Sequence, residues 1–248
     1  MPSATMLRTL QDALIEGTSM NRDTVRVGSF VAMTHRSDPM IYMNYAVPVE
    51  QPTPTCAQAL IEHFQSKQRV PRLEFFADLW PETIAALVAA GFVCERTAPI
   101  MVLDRGGHEA PPEPTRARPA TPDDVVAIRE LTSLAFEMEA SPEGDDDSRR
   151  GFETGRVLGA VLGTPVIASG VAIGTQTVRE VAGIATHPAH RRKGAATAVI
   201  HSLLNQFFAS GGEVAWLTPG DDGAQALYEK IGFRTAGTQV NYVFPGVE

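Results

Sequence analysis

Several features that would assign this chain to a class of protein are scarce or missing. It has only two cysteines in 248 residues, Cys56 and Cys94, too few for a disulfide framework. No apolar run approaches the roughly 18–20 residues that a membrane helix needs. Acidic residues outnumber basic ones by 29 to 21, and the net charge is −8. The chain therefore lacks the basic surplus of a dedicated nucleic-acid-binding protein.

The N-terminus also lacks the basic-then-apolar layout of a signal peptide, because Asp12 and Glu16 interrupt it. We therefore expect a cytoplasmic protein without a membrane or nucleic-acid partner. Hydrophobic residues make up 44% of the chain and charged residues 20%, which is enough to build a sizeable core.

A proline-rich segment divides the chain. Residues 106–119 contain two glycines and four prolines, which disfavour both helix and sheet and are typical of a domain connection. The sequence therefore predicts an N-terminal domain over 1–105, a linker over 106–119 and a C-terminal domain over 116–248.

One structural pattern occurs in both halves. The same order of elements starts at Arg72 and again at Glu213. It consists of a short apolar strand, a helical stretch rich in alanine and leucine, a Gly-Phe pair and a second apolar run. The two pairs are Gly91-Phe92 and Gly232-Phe233. Either the fold is duplicated, or each half contains the unit common to α/β proteins. The predicted fold class is α/β, with a mixed central sheet flanked by helices in each of two tandem domains.

The sharpest local feature lies between a strand that ends at Thr186 and a long apolar helix. Pro188 forces a turn, three consecutive cations follow, and the helix begins with small residues. A helix N-terminus offers unpaired N–H groups and positive dipole charge, so this arrangement predicts a pyrophosphate site. Its residues are Arg191, Arg192, Lys193, Gly194, Ala195, Ala196 and Thr197. The spacing is neither that of a P-loop nor that of a dinucleotide fold.

Two motifs in this half resemble those of the GNAT superfamily of acyl-CoA N-acyltransferases. Arg191-x-x-Gly194-x-Ala196 resembles the R/Q-x-x-G-x-G/A motif, and residues 224–233 resemble the A-x-x-L-Y-E-K-x-G-F segment. The resemblance implies acetyl-CoA as co-substrate, in an opening between the fourth and fifth strands. It also implies that the backbone of Ile184, Ala185 and Thr186 faces the pantetheine and the thioester.

The resemblance further implies two catalytic side chains. Tyr228 matches the frequent general acid, and a phenol is a suitable proton donor to a thiolate. Glu180 matches a glutamate that in some members deprotonates the acceptor amine. The alternatives are a tyrosine that packs on the sheet and a solvated glutamate. Asp221 stands where the superfamily often places an asparagine that contacts the cofactor. The alternative is that Asp221 caps the helix.

Other polar groups give weaker predictions about a metal site and an acceptor-binding surface. His187 and His190 form an H-x-x-H pair without the usual further ligands, so no metal is expected. The acidic run at 145–147 predicts either a solvated loop or a surface that attracts a cationic amine.

The first half is expected to carry a degenerate copy of the fold. Thr24–Thr34 and Ile41–Val49 are predicted strands, and Thr55–Gln68 a helix. The segment 48–55 has no glycine, no cation and three prolines where a phosphate loop would lie. The resemblance thus predicts an acetyl-CoA-dependent N-acetyltransferase of class EC 2.3.1 that transfers to a primary amine in a ternary complex. The acceptor, a small molecule or a peptide, and a homodimer stay open. The alternative is a non-catalytic acyl-CoA-binding or regulatory protein.

Overall fold

The computed structural model describes residues 4–19, 22–109, 116–139 and 141–245. The chain divides into two compact units. The first comprises Met1–Ile100 together with Thr235–Glu248, and the second comprises Met101–Arg234. Each unit holds strands and helices, which confirms the predicted mixed α/β class.

The first unit is built on a sheet whose strands β1, β2 and β3 are antiparallel neighbours. Strand β3 is parallel to β4, and β4 is antiparallel to β11, the last strand of the chain. The elements are α1 (Ala4–Thr18), β1 (Arg22–Val27), β2 (Phe30–His35), β3 (Tyr45–Pro48), α2 (Pro54–Ser66), β4 (Arg72–Phe76), α3 (Thr83–Ala89), the start of β5 (Val93–Asp104) and β11 (Arg234–Val243).

In the second unit, strands β6 to β9 are successive antiparallel neighbours. Strand β9 is parallel to β10, and β10 is antiparallel to the end of β5. The elements are β6 (Arg118–Pro119), α4 (Val125–Phe136), α5 (Asp145–Glu153), β7 (Val157–Leu162), β8 (Ala168–Gly174), β9 (Val178–Thr186), α6 (Ala195–Ala209), β10 (Val214–Leu217) and α7 (Asp222–Ile231). Helix α6 supplies much of the buried apolar core, including Leu203, Leu204 and Phe207.

The units differ from the predicted domain ranges at both ends. Residues 239–243 of β11 pair with β4, so the last strand belongs to the first unit. Residues 101–104 of β5 pair with β10, so the second unit starts before the predicted linker. Within the predicted linker, residues 110–115 lie outside the described ranges, and Arg118–Pro119 forms β6. Long-range strand pairing of this kind leaves no local signal in the sequence.

The Gly-Phe pairs have the same backbone geometry in both units. Gly91 and Gly232 have φ of +90° and +110°, the left-handed conformation that glycine adopts at helix ends. The next amide then bonds back across the helix end, from Phe92 to the Leu87 carbonyl and from Phe233 to the Tyr228 carbonyl, at 3.0 Å in each case. The recurrent sequence pattern therefore corresponds to a recurrent structure. The degenerate character of the first copy stays a prediction.

Three local predictions need correction. Thr24–Thr34 is a hairpin of two strands because the chain reverses at Gly28, whose φ is +58°. Within Ile41–Val49, the strand is confined to Tyr45–Pro48 because Ile41–Met43 forms a turn of 3-10 helix. The acidic run is the first turn of α5, where carboxylates favour the positive end of the helix dipole.

A buried ion-pair cluster joins β4 to β5 in the first unit. The Arg72 side chain is 1% exposed and donates to Glu74 and, at 2.7 Å, to Glu95. We expect Arg72→Met to lower the free energy of unfolding by about 2–4 kcal/mol, because two partly buried carboxylates lose their cation. Urea unfolding measures the loss.

Arg36 provides the matched control. Its pair with Asp23 spans 3.1 Å, with the two side chains 61% and 51% exposed. Arg36→Met should change the same free energy by less than about 0.5 kcal/mol. Equal losses in the two variants would contradict a special role of the buried pair.

Candidate acyl-CoA site

Strand β9 separates from β10 halfway along its length. Parallel pairing is confined to Val178–Glu180 opposite Val214–Trp216. From Val181 to Thr186, the only described strand in register with β9 is β8. The backbone groups of this stretch that point toward the β10 side thus line an opening in the sheet of the second unit. This matches the opening expected between the fourth and fifth strands.

A bulge lies within the separated part of β9. Ser169 is opposite Ala185 and Val171 is opposite Ala182, so two residues of β9, Gly183 and Ile184, face one residue of β8. Gly183 has φ of +59°, which a glycine adopts without strain. The bulge redirects the strand at the point where the predicted thioester-facing residues begin.

The connection from β9 to α6 presents a free helix N-terminus. Helix α6 begins at Ala195 after Gly194, whose φ is +78°, and the first intrahelical bond runs from the Ala198 amide to the Gly194 carbonyl at 3.0 Å. The preceding N–H groups, of Ala195 to Thr197, have no intrahelical acceptor. A Cβ built on Gly194 would meet no atom within 4 Å, so the space beside it is open. An anion can approach this backbone closely.

The three cations before Gly194 are exposed, and they differ in what they contact. Lys193 donates to the Ala189 carbonyl at 3.1 Å. Arg191 donates to the Thr186 carbonyl at 3.3 Å and to the Ala135 carbonyl, in α4, at 3.2 Å. Arg192 has a left-handed φ of +63°, which is unusual for a residue with a side chain. The predicted phosphate-binding residues therefore lie together in one cationic loop.

Tyr228 lies in α7 and is 7% exposed. Its ring packs edge-on against Phe233, with the ring centroids 5.9 Å apart. Burial, and secondly the Asp221 carboxylate, raise the pKa of Tyr228 to about 12. Asp221 also caps α7 by accepting from the Ala224 amide at 2.7 Å, so the helix-opening alternative for this residue holds. The tyrosine keeps its proton throughout the physiological pH range.

Glu180 is the third residue of β9, opposite Ile173 of β8 and Trp216 of β10. Paired residues share a face of the sheet, so Glu180 lies beside the buried Trp216. Tyr228 belongs to the core cluster that contains Ala215 and Leu217, the residues on either side of Trp216. Because successive residues of a strand alternate in direction, Glu180 and Tyr228 belong to opposite faces of the sheet.

Trp216 is the residue that sequence reasoning missed. Its side chain is buried, and only the parallel register of β10 with β9 places it beside Glu180. The aromatic residue in a short buried strand was visible in the sequence, but the register was not.

The other polar groups contribute little to the site. Asp145 pairs with Arg129 at 3.0 Å and Asp146 with Arg149 at 3.4 Å, so the acidic run is partly neutralised. His187 accepts from the Ala189 amide through Nδ1 at 3.2 Å. No group of three or more potential metal ligands occurs in the described parts of the chain. The acidic run therefore gives no argument about the acceptor.

Comparison with known proteins identifies the region that contains these features. Residues 125–233 match the acetyltransferase (GNAT) family. The matched segment lies within the second unit. The match includes the separated half of β9, the cationic loop and Tyr228, and it confirms the resemblance drawn from the two motifs.

One relative with an assigned activity is the mycothiol acetyltransferase of Parafrankia sp. (strain EAN1pec). It is 31% identical over 119 residues, which are 44% of this chain and 35% of that protein. The chain thus matches about a third of the length of this curated relative.

Solved structures support the fold over almost the whole chain. A GCN5-related N-acetyltransferase from Kribbella flavida superimposes with a TM-score of 0.81 at 22% identity, covering 99% of this chain and 98% of that one. A tandem GNAT protein from the clavulanic acid biosynthesis pathway gives a TM-score of 0.58 at 16% identity, covering 88% and 79%. Both likenesses concern the fold alone. Among the described residues, no helix is long and apolar enough to cross a membrane.

The turn of 3-10 helix that precedes α4, Pro122–Asp124, begins with a charged capping box. Asp124 accepts from the Thr121 amide at 2.8 Å and receives both terminal nitrogens of Arg118, at 2.8 and 2.7 Å. The Arg118 hydrogen bonds are the largest cause, and they lower the pKa of Asp124 to about 2 from its usual 3.8. The cap of this turn therefore carries an ion pair.

We expect Asp124→Asn to lower the free energy of unfolding by about 1–2 kcal/mol at pH 7, after allowance for the exposed Arg118. A carboxyl whose folded pKa is depressed stabilises above its unfolded pKa, and that contribution is lost as the pH falls through the folded value. The difference between wild type and variant should thus shrink from pH 4 toward pH 2. Urea unfolding at several pH values measures it, and a difference independent of pH would contradict the ion pair.

Proposed function

We propose that this chain is an acetyl-CoA-dependent N-acetyltransferase, and that its second unit carries the reaction. The acetyl group passes directly to a primary amine in a ternary complex. The observation that supports this most strongly is the opening beside β9, which leads to the free N-terminus of α6 and its cationic loop. The family match over the same residues gives the class of donor.

The pyrophosphate of acetyl-CoA fits the loop for three reasons. The amides of Ala195 to Thr197 are without intrahelical acceptors, the space beside Gly194 is open, and Arg191, Arg192 and Lys193 add positive charge. The pantetheine arm would lie along Ile184, Ala185 and Thr186, whose backbone is in register with β8 on one side only among the described strands. Ala195 and Ala196, the small residues after Gly194, also let the backbone approach the phosphates.

The proposed transfer uses Glu180 and Tyr228 from opposite faces of the sheet. Glu180, directly or through water, takes a proton from the acceptor ammonium so that the neutral nitrogen can attack the thioester carbon. As the carbon–sulfur bond breaks, the electron pair moves to sulfur, and Tyr228 donates a hydrogen bond and then its proton to that sulfur. The nitrogen loses its second proton as the amide forms, and the Tyr228 phenolate takes up a proton, so that the net products are the amide, free CoA and the proton held by Glu180. A phenol of pKa about 12 is a weak acid in water. A thiolate that leaves into a buried site would also be a stronger base than in water. The difference between the pKa values of the phenol and of the departing thiol would therefore be smaller.

The acceptor is an amine of a small molecule or a peptide. The relative named mycothiol acetyltransferase favours a small-molecule amine related to mycothiol as the first compound to test. We expect the protein to act in the cytoplasm, and size-exclusion chromatography of the same preparation tests for a homodimer.

A non-catalytic acyl-CoA-binding or regulatory protein is the second candidate. The raised pKa of Tyr228 favours it, because a buried phenol that holds its proton so strongly is a poor acid catalyst. This candidate predicts binding of acetyl-CoA without release of free CoA in the presence of any amine. Binding and turnover, measured separately, distinguish the two.

The loop can be tested with two variants of equal shape. Asn and Asp both tolerate the left-handed backbone of Gly194, and either side chain would extend into the open space. We expect Gly194→Asp to bind acetyl-CoA at least about tenfold more weakly than Gly194→Asn, because only the carboxylate repels the phosphates. Isothermal titration calorimetry gives both dissociation constants. The absence of binding heat in the wild type would refute the proposed function.

Tyr228 can be tested by removing its hydroxyl. We expect Tyr228→Phe to lower kcat by about 10²-fold, since proton donation to the leaving group is lost, while the dissociation constant of acetyl-CoA changes less than about threefold. Tyr242→Phe is the matched control, a buried tyrosine of β11 in the first unit, and should keep wild-type turnover. Release of free CoA across an amine panel is the readout. Full turnover in the Tyr228 variant would overturn the role of this residue.

A further inference from the structure

The last turn of α4 leaves a backbone carbonyl without a helical partner. The helix stops at Phe136 because Glu137 adopts a left-handed φ of +55°, and the Met138 amide turns back to the Ser133 carbonyl at 3.0 Å. The chain therefore no longer supplies an amide to the Ala135 carbonyl, which is one of the acceptors that every helix C-terminus exposes.

Arg191 supplies the missing donor. Its Nη2 lies 3.2 Å from the Ala135 carbonyl oxygen, and its Nε lies 3.3 Å from the carbonyl oxygen of Thr186, the last residue of β9. A guanidinium has five N–H groups in a planar fork, so three remain for an anion. A cation also suits the negative end of the α4 dipole. One side chain thus joins the end of α4, the end of β9 and the cationic loop.

The end of α4 also presents apolar surface. Leu134 and Phe136, on either side of Ala135, are 50% and 49% exposed. Whatever holds this turn in place therefore also holds the backbone that carries these two exposed apolar side chains.

We propose that Arg191 is a positioning residue that bridges the last turn of α4 to the phosphate loop, so that binding of acetyl-CoA there orders the end of α4. The coupling to acetyl-CoA rests on the proposed function; the bridge itself does not. Because coupling between two sites is reciprocal, a ligand that covers Leu134 and Phe136 would in turn tighten acetyl-CoA binding.

Variants of two adjacent arginines separate the bridge from simple charge. Arg191→Lys keeps the charge, but a single ammonium cannot reproduce the fork that spans two carbonyls. Arg191→Ala removes the positive charge and the guanidinium fork together. Arg192→Ala removes the same charge one residue further along, at an exposed side chain. Circular dichroism and thermal unfolding check that each variant is folded.

Hydrogen–deuterium exchange of peptides that cover residues 134–144 is the readout, without ligand and with saturating CoA. Without ligand, both Arg191 variants should exchange about 5–10-fold faster in this segment than the wild type, and Arg192→Ala should match the wild type. With CoA, the wild type and Arg192→Ala should gain protection there. Arg191→Lys, compared at a CoA concentration that saturates this variant as well, should gain none.

Each outcome decides the proposal. If the ligand-free exchange of Arg191→Ala and Arg192→Ala is the same, the bridge is refuted whether or not CoA binds. If CoA binds to Arg191→Lys and protects the segment as in the wild type, the coupling through the guanidinium is refuted. If CoA fails to bind the wild type, the proposed function fails, while the ligand-free comparison still tests the bridge.

Discussion

The site depends on the point at which β9 leaves β10. Up to Glu180, the two strands share a parallel ladder, and beyond it β9 continues beside β8 alone among the described strands. Each buried backbone group needs a hydrogen-bond partner. A strand that loses its neighbour inside a protein is therefore destabilised unless other groups replace the lost partners. An extended ligand with amide groups can meet that need from the open side. The bulge at Gly183 and the turn after Thr186 then lead the chain from that side to the free N-terminus of α6.

The two faces of the sheet in the second unit differ in the side chains that they present around this opening. On one face, Glu180 neighbours Trp216, so a carboxylate lies against a large apolar ring. On the other, Tyr228 is enclosed in the core cluster and keeps its proton because ionisation there would bury an unpaired charge. The proposed base and the proposed proton donor therefore lie on opposite faces of this part of the sheet, in different surroundings.

Local features were the ones that could be predicted from sequence. The loop from Arg191 to Thr197 was found because a turn, a charge cluster and small residues follow one another in the chain. The cap at Asp124 and the glycine ends of α3 and α7 have equally local causes. The features that were missed depend on residues distant in sequence. Trp216 beside Glu180 is one, and the Ala135 carbonyl beneath Arg191 is another.

The pairing of β11 with β4 has a consequence for biosynthesis. The sheet of the first unit, begun by strands near the N-terminus, includes β11, which leaves the ribosome after every described strand of the second unit. The second unit, in contrast, has its whole sheet available once Leu217 has emerged, since the partner of β10 in β5 was made long before. Multidomain chains commonly fold from the N-terminus, but here the first unit completes its sheet only after all strands of the second unit have been made. The half that is translated first is the half that is completed last.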